Sequence, residues 1–219
     1  MENDAVFWSK VAASYDSIID RQLGRRTRSL LRERLAREGR LGRAVEFGCG
    51  TGFFTPVLAA KAERLLATDV SEGMLQVAKE QVPAPNVTFQ VEDCQGTSLP
   101  PASVDTAFMC LVIQFTDPRV TLAEMHRILA PGGTLIIGNL DPLALPPLPR
   151  LRFLVRVLYH GIVRYRLKPP KRFGSNVLRK DDLAALLSAA GFRVESAEVV
   201  QDTSRASNVP VDYVRATRV

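Results

Sequence analysis

The chain has 219 residues, of which 46% are hydrophobic and 24% charged, and a formal net charge of +6. These values fit one globular domain, or one domain with a small addition. No run reaches the roughly 18 uninterrupted apolar residues that a bilayer span needs, and the acidic start MENDAVFW does not resemble a secretory signal. We expect a cytoplasmic protein.

The three cysteines are Cys49, Cys94 and Cys110. Their spacings match no metal-ligand pattern, and their small number is typical of a reducing compartment. The sequence therefore predicts neither a disulfide framework nor a metal site.

Apolar periodicity predicts helices and strands that alternate along the chain. Helical patterns cover residues 3–13, 22–38, 52–61, 72–81, 118–129, 149–167 and 179–190. Strand patterns cover residues 43–47, 64–69, 87–91, 104–110, 133–138, 192–200 and 210–217. This alternation is typical of an α/β protein with a mostly parallel sheet. The proline-rich stretch DPLALPPLPR at 141–150 cannot continue a helix or a central strand, so it separates the first 140 residues from a short insertion.

The segment VEFGCGTG, residues 45–52, is the most informative motif. A buried strand pattern ends in a turn with three glycines, and a helical pattern follows. Glycine allows a ligand to approach the backbone closely, and the start of a helix presents free N–H groups. The next strand pattern ends in Asp69, which could accept hydrogen bonds from the two hydroxyls of a ribose. The glycine turn and Asp69 together predict a nucleoside cofactor.

The glycine spacing narrows the type of cofactor. Dinucleotide sites use G-x-G-x-x-G with a pyrophosphate over the helix, whereas this chain has G-x-G-x-G with Glu46 two positions before the first glycine. A carboxylate there would repel a pyrophosphate, but it would suit a cationic group such as the amino group of a methionine moiety.

Six motifs in order resemble those of class I S-adenosylmethionine-dependent methyltransferases, specifically the type 11 or ubiquinone/menaquinone-methyltransferase-like group. They are FWSKVAASYD at 7–16, VEFGCGTG at 45–52, ATDVSEGML at 67–75, VEDCQGTSLP at 91–100, VDTAFMCLVIQFTDP at 104–118 and HRILAPGGTLII at 126–137. The resemblance implies a Rossmann-like, doubly wound, seven-stranded and mostly parallel sheet with a C-terminal β-hairpin and a small helical cap insertion. We expect one domain over 1–219, with a helical lid at about 1–40, a cofactor-binding core at 41–140, the insertion at 141–178 and a final helix and strands at 179–219.

The resemblance also implies which residues bind S-adenosylmethionine and its product S-adenosylhomocysteine. Asp69 would bind the ribose, Asp93 the adenine amino group and the backbone N–H of Cys94 a ring nitrogen. Cys110 and Leu111 would border the methionine end near the transferred methyl group. The full predicted set is Tyr15, Glu46, Gly48, Cys49, Gly50, Gly52, Asp69, Val70, Met74, Asp93, Cys94, Cys110 and Leu111.

Structural alternatives exist for several of these residues. Asp69 could cap the following helix, although Ser71 is better placed to do so, and Asp93 could cap a turn. Leu111 could simply pack in the core. The aromatic residues around Tyr15 could form a plain staple rather than a lid.

The insertion at 149–173 carries a basic amphipathic pattern. Between residues 142 and 180 there are ten Lys or Arg and no Asp or Glu. The basic stripe comprises Arg152, Arg156, His160, Arg164 and Lys168, and the apolar face comprises Leu151, Leu154, Val155, Leu158, Ile162 and Tyr165. One hypothesis is a cap whose apolar face covers the active site. Another is a helix in peripheral contact with an anionic membrane. The pattern lacks the aromatic interleaving typical of nucleic-acid binding, which disfavours that partner.

Methyl transfer from a sulfonium needs positioning and desolvation, and it needs a base only for some acceptors. His160, Tyr159 and Asp141 are the weak candidates for a base. The resemblance and the amphipathic insertion together favour methyl transfer to a small apolar or aromatic acceptor, such as a quinone precursor, a lipid or a natural product. Methylation of RNA or protein and a non-catalytic cofactor-fold protein remain alternatives. The sequence does not indicate an oligomeric state.

Overall fold

The computed structural model describes residues 2–159, 176–206 and 208–219. One seven-stranded sheet has the order β3-β2-β1-β4-β5-β7-β6. The strands are β1 Gly42–Phe47, β2 Ala62–Asp69, β3 Val87–Val91, β4 Val104–Cys110, β5 Leu129–Leu140, β6 Phe192–Val200 and β7 Val211–Arg218. Strands β1 to β5 pair in parallel, and β7 is antiparallel to both β5 and β6. The predicted fold class, including the late hairpin, is confirmed.

Eight α-helices lie in the described part of the chain. They are α1 Glu2–Val11, α2 Tyr15–Leu23, α3 Arg25–Leu35, α4 Thr55–Ala59, α5 Glu72–Gln81, α6 Pro118–Ile128, α7 Pro147–Leu158 and α8 Lys180–Ala189. Within the described residues, none is long and apolar enough to cross a membrane.

The core forms two layers because successive strand residues point to opposite faces of the sheet. On one face, Met109 packs in the layer that contains Met125 of α6 and Leu187 of α8. On the other, the adjacent Phe108 belongs to the layer that contains Leu35 of α3. Because strands β1 to β5 are parallel, they all end at the same edge of the sheet, where the loops that follow them meet.

Two helix boundaries differ from the sequence prediction. The pattern at 22–38 is interrupted, because Gly24 has φ +91° and separates α2 from α3. Glycine accepts this backbone at little cost, whereas it is unfavourable inside a helix. The helix predicted at 52–61 spans only Thr55–Ala59, since Gly52 also has positive φ.

Helix α7 replaces the first half of the predicted 149–167 helix, and residues 160–167 lie outside the described residues. Its orientation differs from the cap hypothesis. Leu151, Leu154, Val155 and Leu158 are all more than half exposed, whereas Phe153 is buried. The predicted apolar face thus points away from the protein along the described part of this helix, so in this part it does not cover the active site.

Candidate active site

A cleft of about 120 Å³ lies at the carboxyl edge of β1, β2, β3 and β4. Strand β1 leads into the glycine turn, and β2 ends at Asp69. The lining residues are Trp8, Tyr15, Phe47, Gly48, Gly50, Asp69, Val70, Met74, Glu92, Asp93, Cys94, Gln95, Cys110, Leu111, Val112, Phe115 and Thr116. Small-molecule sites usually enclose roughly 300–1,000 Å³, so this cleft is smaller than a typical one.

Asp69 organises the glycine turn. One carboxylate oxygen accepts the Gly50 N–H at 3.0 Å, and the other accepts the Ser71 N–H at 2.9 Å. Burial raises the pKa of Asp69 to about 6, although these backbone bonds oppose the shift. Each ionised oxygen has a second lone pair, which leaves acceptor capacity for ribose hydroxyls.

Ser71, and not Asp69, caps α5. Its hydroxyl oxygen accepts the Met74 N–H at 3.1 Å. The same oxygen lies 2.8 Å from the Ser9 hydroxyl of α1. The start of α5 therefore also fixes the position of the amino-terminal helix.

Glu46 lies beneath the glycine turn and does not line the cleft. It is 1% exposed and accepts a hydrogen bond from the Thr55 hydroxyl at 2.7 Å. Burial, with a smaller contribution from the charge of Asp69, raises its pKa to about 8. Cys49 is also absent from the lining, and burial raises its pKa. Gly52 is the third predicted residue that the structure places behind the cleft wall.

The β3 end of the cleft carries carboxylates suited to an adenine. Asp93 accepts the Gln95 N–H at 2.9 Å, so it does cap a turn while it lines the cleft. Burial raises the pKa of Cys94 to about 12, so its thiol is protonated near neutral pH. The neighbouring Glu92 and Gln95 also line this end, and the sequence prediction missed both. Their positions beside Asp93 in the VEDCQ motif were the available signal.

The β4 end of the cleft is apolar and contains a strained residue. Leu111 has φ +61°, a conformation that costs a leucine on the order of 1 kcal/mol. Its N–H donates to the Gly138 carbonyl at 2.8 Å, and its own carbonyl accepts the Gln114 side-chain amide at 2.9 Å. Such strain is found where surrounding bonds over-determine a functional backbone. Phe115 and Thr116, missed from the sequence, complete this wall.

Aromatic rings from the amino-terminal helices close the cleft. Trp8 makes edge contacts with Tyr15, at 6.0 Å between ring centroids, and with Phe115, at 5.3 Å. A Cβ atom added to Gly50 would meet the Tyr15 ring at 3.3 Å, so the ring lies directly over the glycine turn. Burial raises the pKa of Tyr15. Trp8 and Tyr15 therefore form part of the cleft lining beside the glycine turn.

None of the candidate bases within the described residues reaches the cleft. Asp141 accepts the N–H groups of Leu143 and Ala144 and is 5% exposed. Tyr159 follows the end of α7 and is 53% exposed. His160 lies outside the described residues.

The structure brings together most of the predicted cofactor residues. Those that line the cleft are Tyr15, Gly48, Gly50, Asp69, Val70, Met74, Asp93, Cys94, Cys110 and Leu111. Carboxylates lie at the β2 and β3 ends and apolar side chains at the β4 end. This arrangement suits a ligand with a polar nucleoside at one end and a less polar reacting group at the other.

The fold and the cleft define an α/β protein of the nucleoside-binding type. Residues 45–137 match the family model of the type 11 methyltransferase domain. This stretch, from β1 to β5, thus resembles a methyltransferase domain, as the motifs predict, and the cofactor of that family is S-adenosylmethionine.

Two curated relatives are similar to this chain in sequence, and one solved structure is similar to it in fold. The malonyl-[acyl-carrier protein] O-methyltransferase of Serratia marcescens is 32% identical over 136 residues, which are 61% of this chain and 51% of that protein. The demethylmenaquinone methyltransferase of Clavibacter sepedonicus is 32% identical over 115 residues, 50% of this chain and 44% of that protein. The chain thus spans about half the length of these relatives. The N-methyltransferase NodS from Bradyrhizobium japonicum WM9, solved in complex with S-adenosyl-L-homocysteine, shares the fold with a TM-score of 0.69 at 18% identity, over 99% of this chain and 98% of that one.

Proposed function

We propose that the protein transfers the methyl group of S-adenosylmethionine to a small apolar or aromatic acceptor, such as a quinone precursor, a lipid or a natural product. The observation that carries this proposal is the apolar wall at the β4 end of the cleft. There Leu111, Val112 and Phe115 face the space beside Trp8. An acceptor placed against this wall would be held by shape and by burial of apolar surface.

The residues of the cleft support binding of the cofactor in one orientation. Asp69 would accept the ribose hydroxyls, and Asp93 would accept the adenine amino group. The sulfonium supplies an activated methyl group for in-line displacement. The methionine end would lie at Cys110 and Leu111, which places the methyl group toward the apolar wall.

The chain's own contribution to catalysis would be positioning and exclusion of water. Trp8 and Tyr15 close the cleft and remove solvent from the reacting groups. Burial raises the pKa of Cys110 to about 12, so its thiol is protonated near neutral pH and does not serve as a base there. An acceptor that ionises by itself, such as an acidic phenol, would need no base from the protein.

A carrier-bound acid is the second acceptor class. The similarity to the malonyl-[acyl-carrier protein] O-methyltransferase of Serratia marcescens favours this class. In the described residues, the cleft lining contains three carboxylates and neither lysine nor arginine. A negatively charged malonyl group would find no ion pair there, which favours the neutral or aromatic class.

The test is a panel of quinone precursors, phenols, lipids and malonyl-carrier protein, with formation of S-adenosylhomocysteine as the readout. We expect turnover with at least one apolar acceptor, and turnover by Asp69→Ala that is strongly reduced when S-adenosylmethionine is limiting. Exclusive turnover of the malonyl carrier would overturn the acceptor class. Absence of S-adenosylmethionine binding in calorimetry would contradict the proposal that the protein is a methyltransferase and would favour a non-catalytic protein. Methylation of RNA or protein would show as binding that weakens steeply with salt.

Acceptors of the proposed class partition into bilayers. We therefore propose that the protein is cytoplasmic and meets them through peripheral contact with an anionic membrane.

A further inference from the structure

Helix α7 presents a continuous apolar surface to solvent. Six large apolar side chains on and just after it are between 52% and 58% exposed: Leu148, Leu151, Leu154, Val155, Leu158 and Tyr159. Their spacing places them on one side of the helix. An exposed apolar arc of this extent on one helix is typical of an interaction site.

The opposite side of α7 fixes the helix to the protein. Phe153 is 6% exposed and packs with Leu145 and Val209, while Val157 packs against the same cluster. The Arg150 guanidinium donates to the carbonyls of Leu143 and Leu145, each at 2.8 Å. The packing of Phe153 on one side of α7 thus leaves the apolar arc on the other side exposed to solvent.

A hollow of about 670 Å³ lies beside this arc, and four of its ten lining residues are arginines. Its lining residues are Ser17, Asp20, Arg21, Gly24, Arg26, Arg156, Asp202, Ser204, Arg205 and Asn208. The lining therefore carries four positive and two negative side chains. Asp20 pairs with Arg28 at 3.1 Å. Asp202 accepts the Ser204 N–H at 3.0 Å and also interacts electrostatically with Arg26 and Arg205, so the four arginines outnumber the carboxylates but are partly compensated.

Arg156 joins the hollow to the apolar arc. It lines the hollow, and it also lines a groove with Leu151 and Val155 on the exposed side of α7. Burial and the nearby charge of Arg205 lower its pKa. An anion in the hollow would relieve the repulsion between these two guanidinium groups.

We propose that this surface seats the protein on an anionic bilayer, with lipid phosphates in the arginine hollow and the α7 arc at the acyl boundary. The inference rests on the proposed function in that it explains how a lipophilic acceptor would be reached. Helix α7 contacts α2, whose first residue, Tyr15, covers the glycine turn. Docking through α7 would therefore place α2, the helix that begins at Tyr15, beside the lipid surface.

Charge favours a bilayer over a second copy of the chain. The ten Lys or Arg between residues 142 and 180 are not balanced by any Asp or Glu, so two such segments would repel each other. Basic residues beside an apolar helical face attract anionic lipid headgroups and bury apolar side chains at the interface. An acidic carrier protein, the alternative partner, would pair with the basic residues but would leave part of the apolar arc uncovered.

The test is flotation with vesicles of phosphatidylglycerol in phosphatidylcholine, compared with phosphatidylcholine alone. We expect binding only to the anionic vesicles. The triple variant Leu151→Gln, Leu154→Gln, Leu158→Gln should weaken it about tenfold or more through lost apolar burial. The matched control is Val91→Gln, Val120→Gln, Val199→Gln, which changes side chains of similar exposure elsewhere and should leave binding unchanged.

The contribution of charge to binding is tested with a second triple variant, Arg152→Gln, Arg156→Gln, Arg205→Gln. Its control removes the same charge from exposed positions elsewhere and is Arg40→Gln, Arg64→Gln, Arg119→Gln. Only the first set should abolish the preference for anionic vesicles, and inorganic phosphate should compete only weakly because it lacks the apolar part. Equal loss in both sets, no vesicle binding at all, or capture of an acidic carrier protein in place of vesicles would overturn the inference. Because flotation needs no methyl transfer, its outcome is independent of the acceptor panel.

Discussion

Thr51 of the glycine turn donates a hydrogen bond from its hydroxyl to the Asp16 carboxylate of α2 at 2.9 Å. Arg28, 3% exposed, holds the other Asp16 oxygen at 2.7 Å, and its guanidinium lies 3.8 Å from the centre of the Phe53 ring. Tyr15 precedes Asp16 directly and covers Gly50. The start of α2 and the glycine turn are thus held together by Asp16.

Thr51→Val should speed cofactor exchange. Valine has the shape of threonine but cannot donate the bond to Asp16, whose net contribution is about 1 kcal/mol. We expect the association and dissociation rates to rise about fivefold, with a smaller change in Kd. Trp8 is the single tryptophan and lines the cleft, so stopped-flow fluorescence measures both rates. Thr51→Ser retains the hydroxyl and should behave as the wild type; unchanged rates in the valine variant would show that the bond does not restrain the lid.

Asp69→Ala should raise the Kd for S-adenosylmethionine more than tenfold, because charge-assisted bonds to the ribose are lost. In the wild type, affinity should fall as the pH drops below about 6, the pKa of Asp69, since the protonated carboxyl loses acceptor capacity. The alanine variant should lack this pH dependence. Calorimetry at several pH values gives both results. Asp105→Asn, at the opposite edge of the sheet, is the control, and an unchanged Kd for Asp69→Ala would contradict the ribose assignment.

The main features of the fold follow from the sequence because apolar periodicity and glycine positions determine strands, helices and the turn. The break at Gly24 was missed because the amphipathic pattern continues across it. The strain at Leu111 could not be predicted, since leucine carries no local preference for positive φ. The residue is held by a tertiary bond to the Gly138 carbonyl and by a local bond from the Gln114 side chain.

Periodicity also did not predict which side of α7 is exposed to solvent. Apolar residues occupy both sides of this helix, and amphipathic spacing alone does not show which side packs. Phe153 decides the orientation through a contact with Val209, which is distant in sequence. The position of Glu46 behind the glycine turn has a similar cause, because alternation along β1 directs its side chain away from Phe47, which lines the cleft.

Glu46→Gln should change how stability depends on pH. The pKa of Glu46 is about 8 in the folded protein, compared with an ordinary value of 4.5. Between these values the folded state holds a proton that the unfolded state releases, so stability is full below about pH 4.5 and falls as the pH rises through about 8. The variant should lose this decline and gain on the order of a few kcal/mol at pH 8.

Thermal and urea unfolding at several pH values check this expectation, with the exposed Glu63→Gln as the matched control. A variant less stable than the wild type at pH 8 would contradict it. If Glu46 also contacts the cofactor's amino group, as the sequence predicts, the same variant should bind S-adenosylmethionine more weakly.

Gly50→Val should abolish cofactor binding and leave the fold largely intact. Gly50 has φ +56°, and an added Cβ would lie 3.3 Å from the Tyr15 ring, so valine would both strain the turn and fill the approach to its backbone. Gly132→Val is the matched control, because Gly132 has φ +75° with nothing within 4 Å of an added Cβ. Both variants carry the backbone cost of a β-branched residue at positive φ, so both should lose similar thermal stability. Only Gly50→Val should lose binding in calorimetry while circular dichroism remains like the wild type; retained binding would show that the turn is not the cofactor cradle.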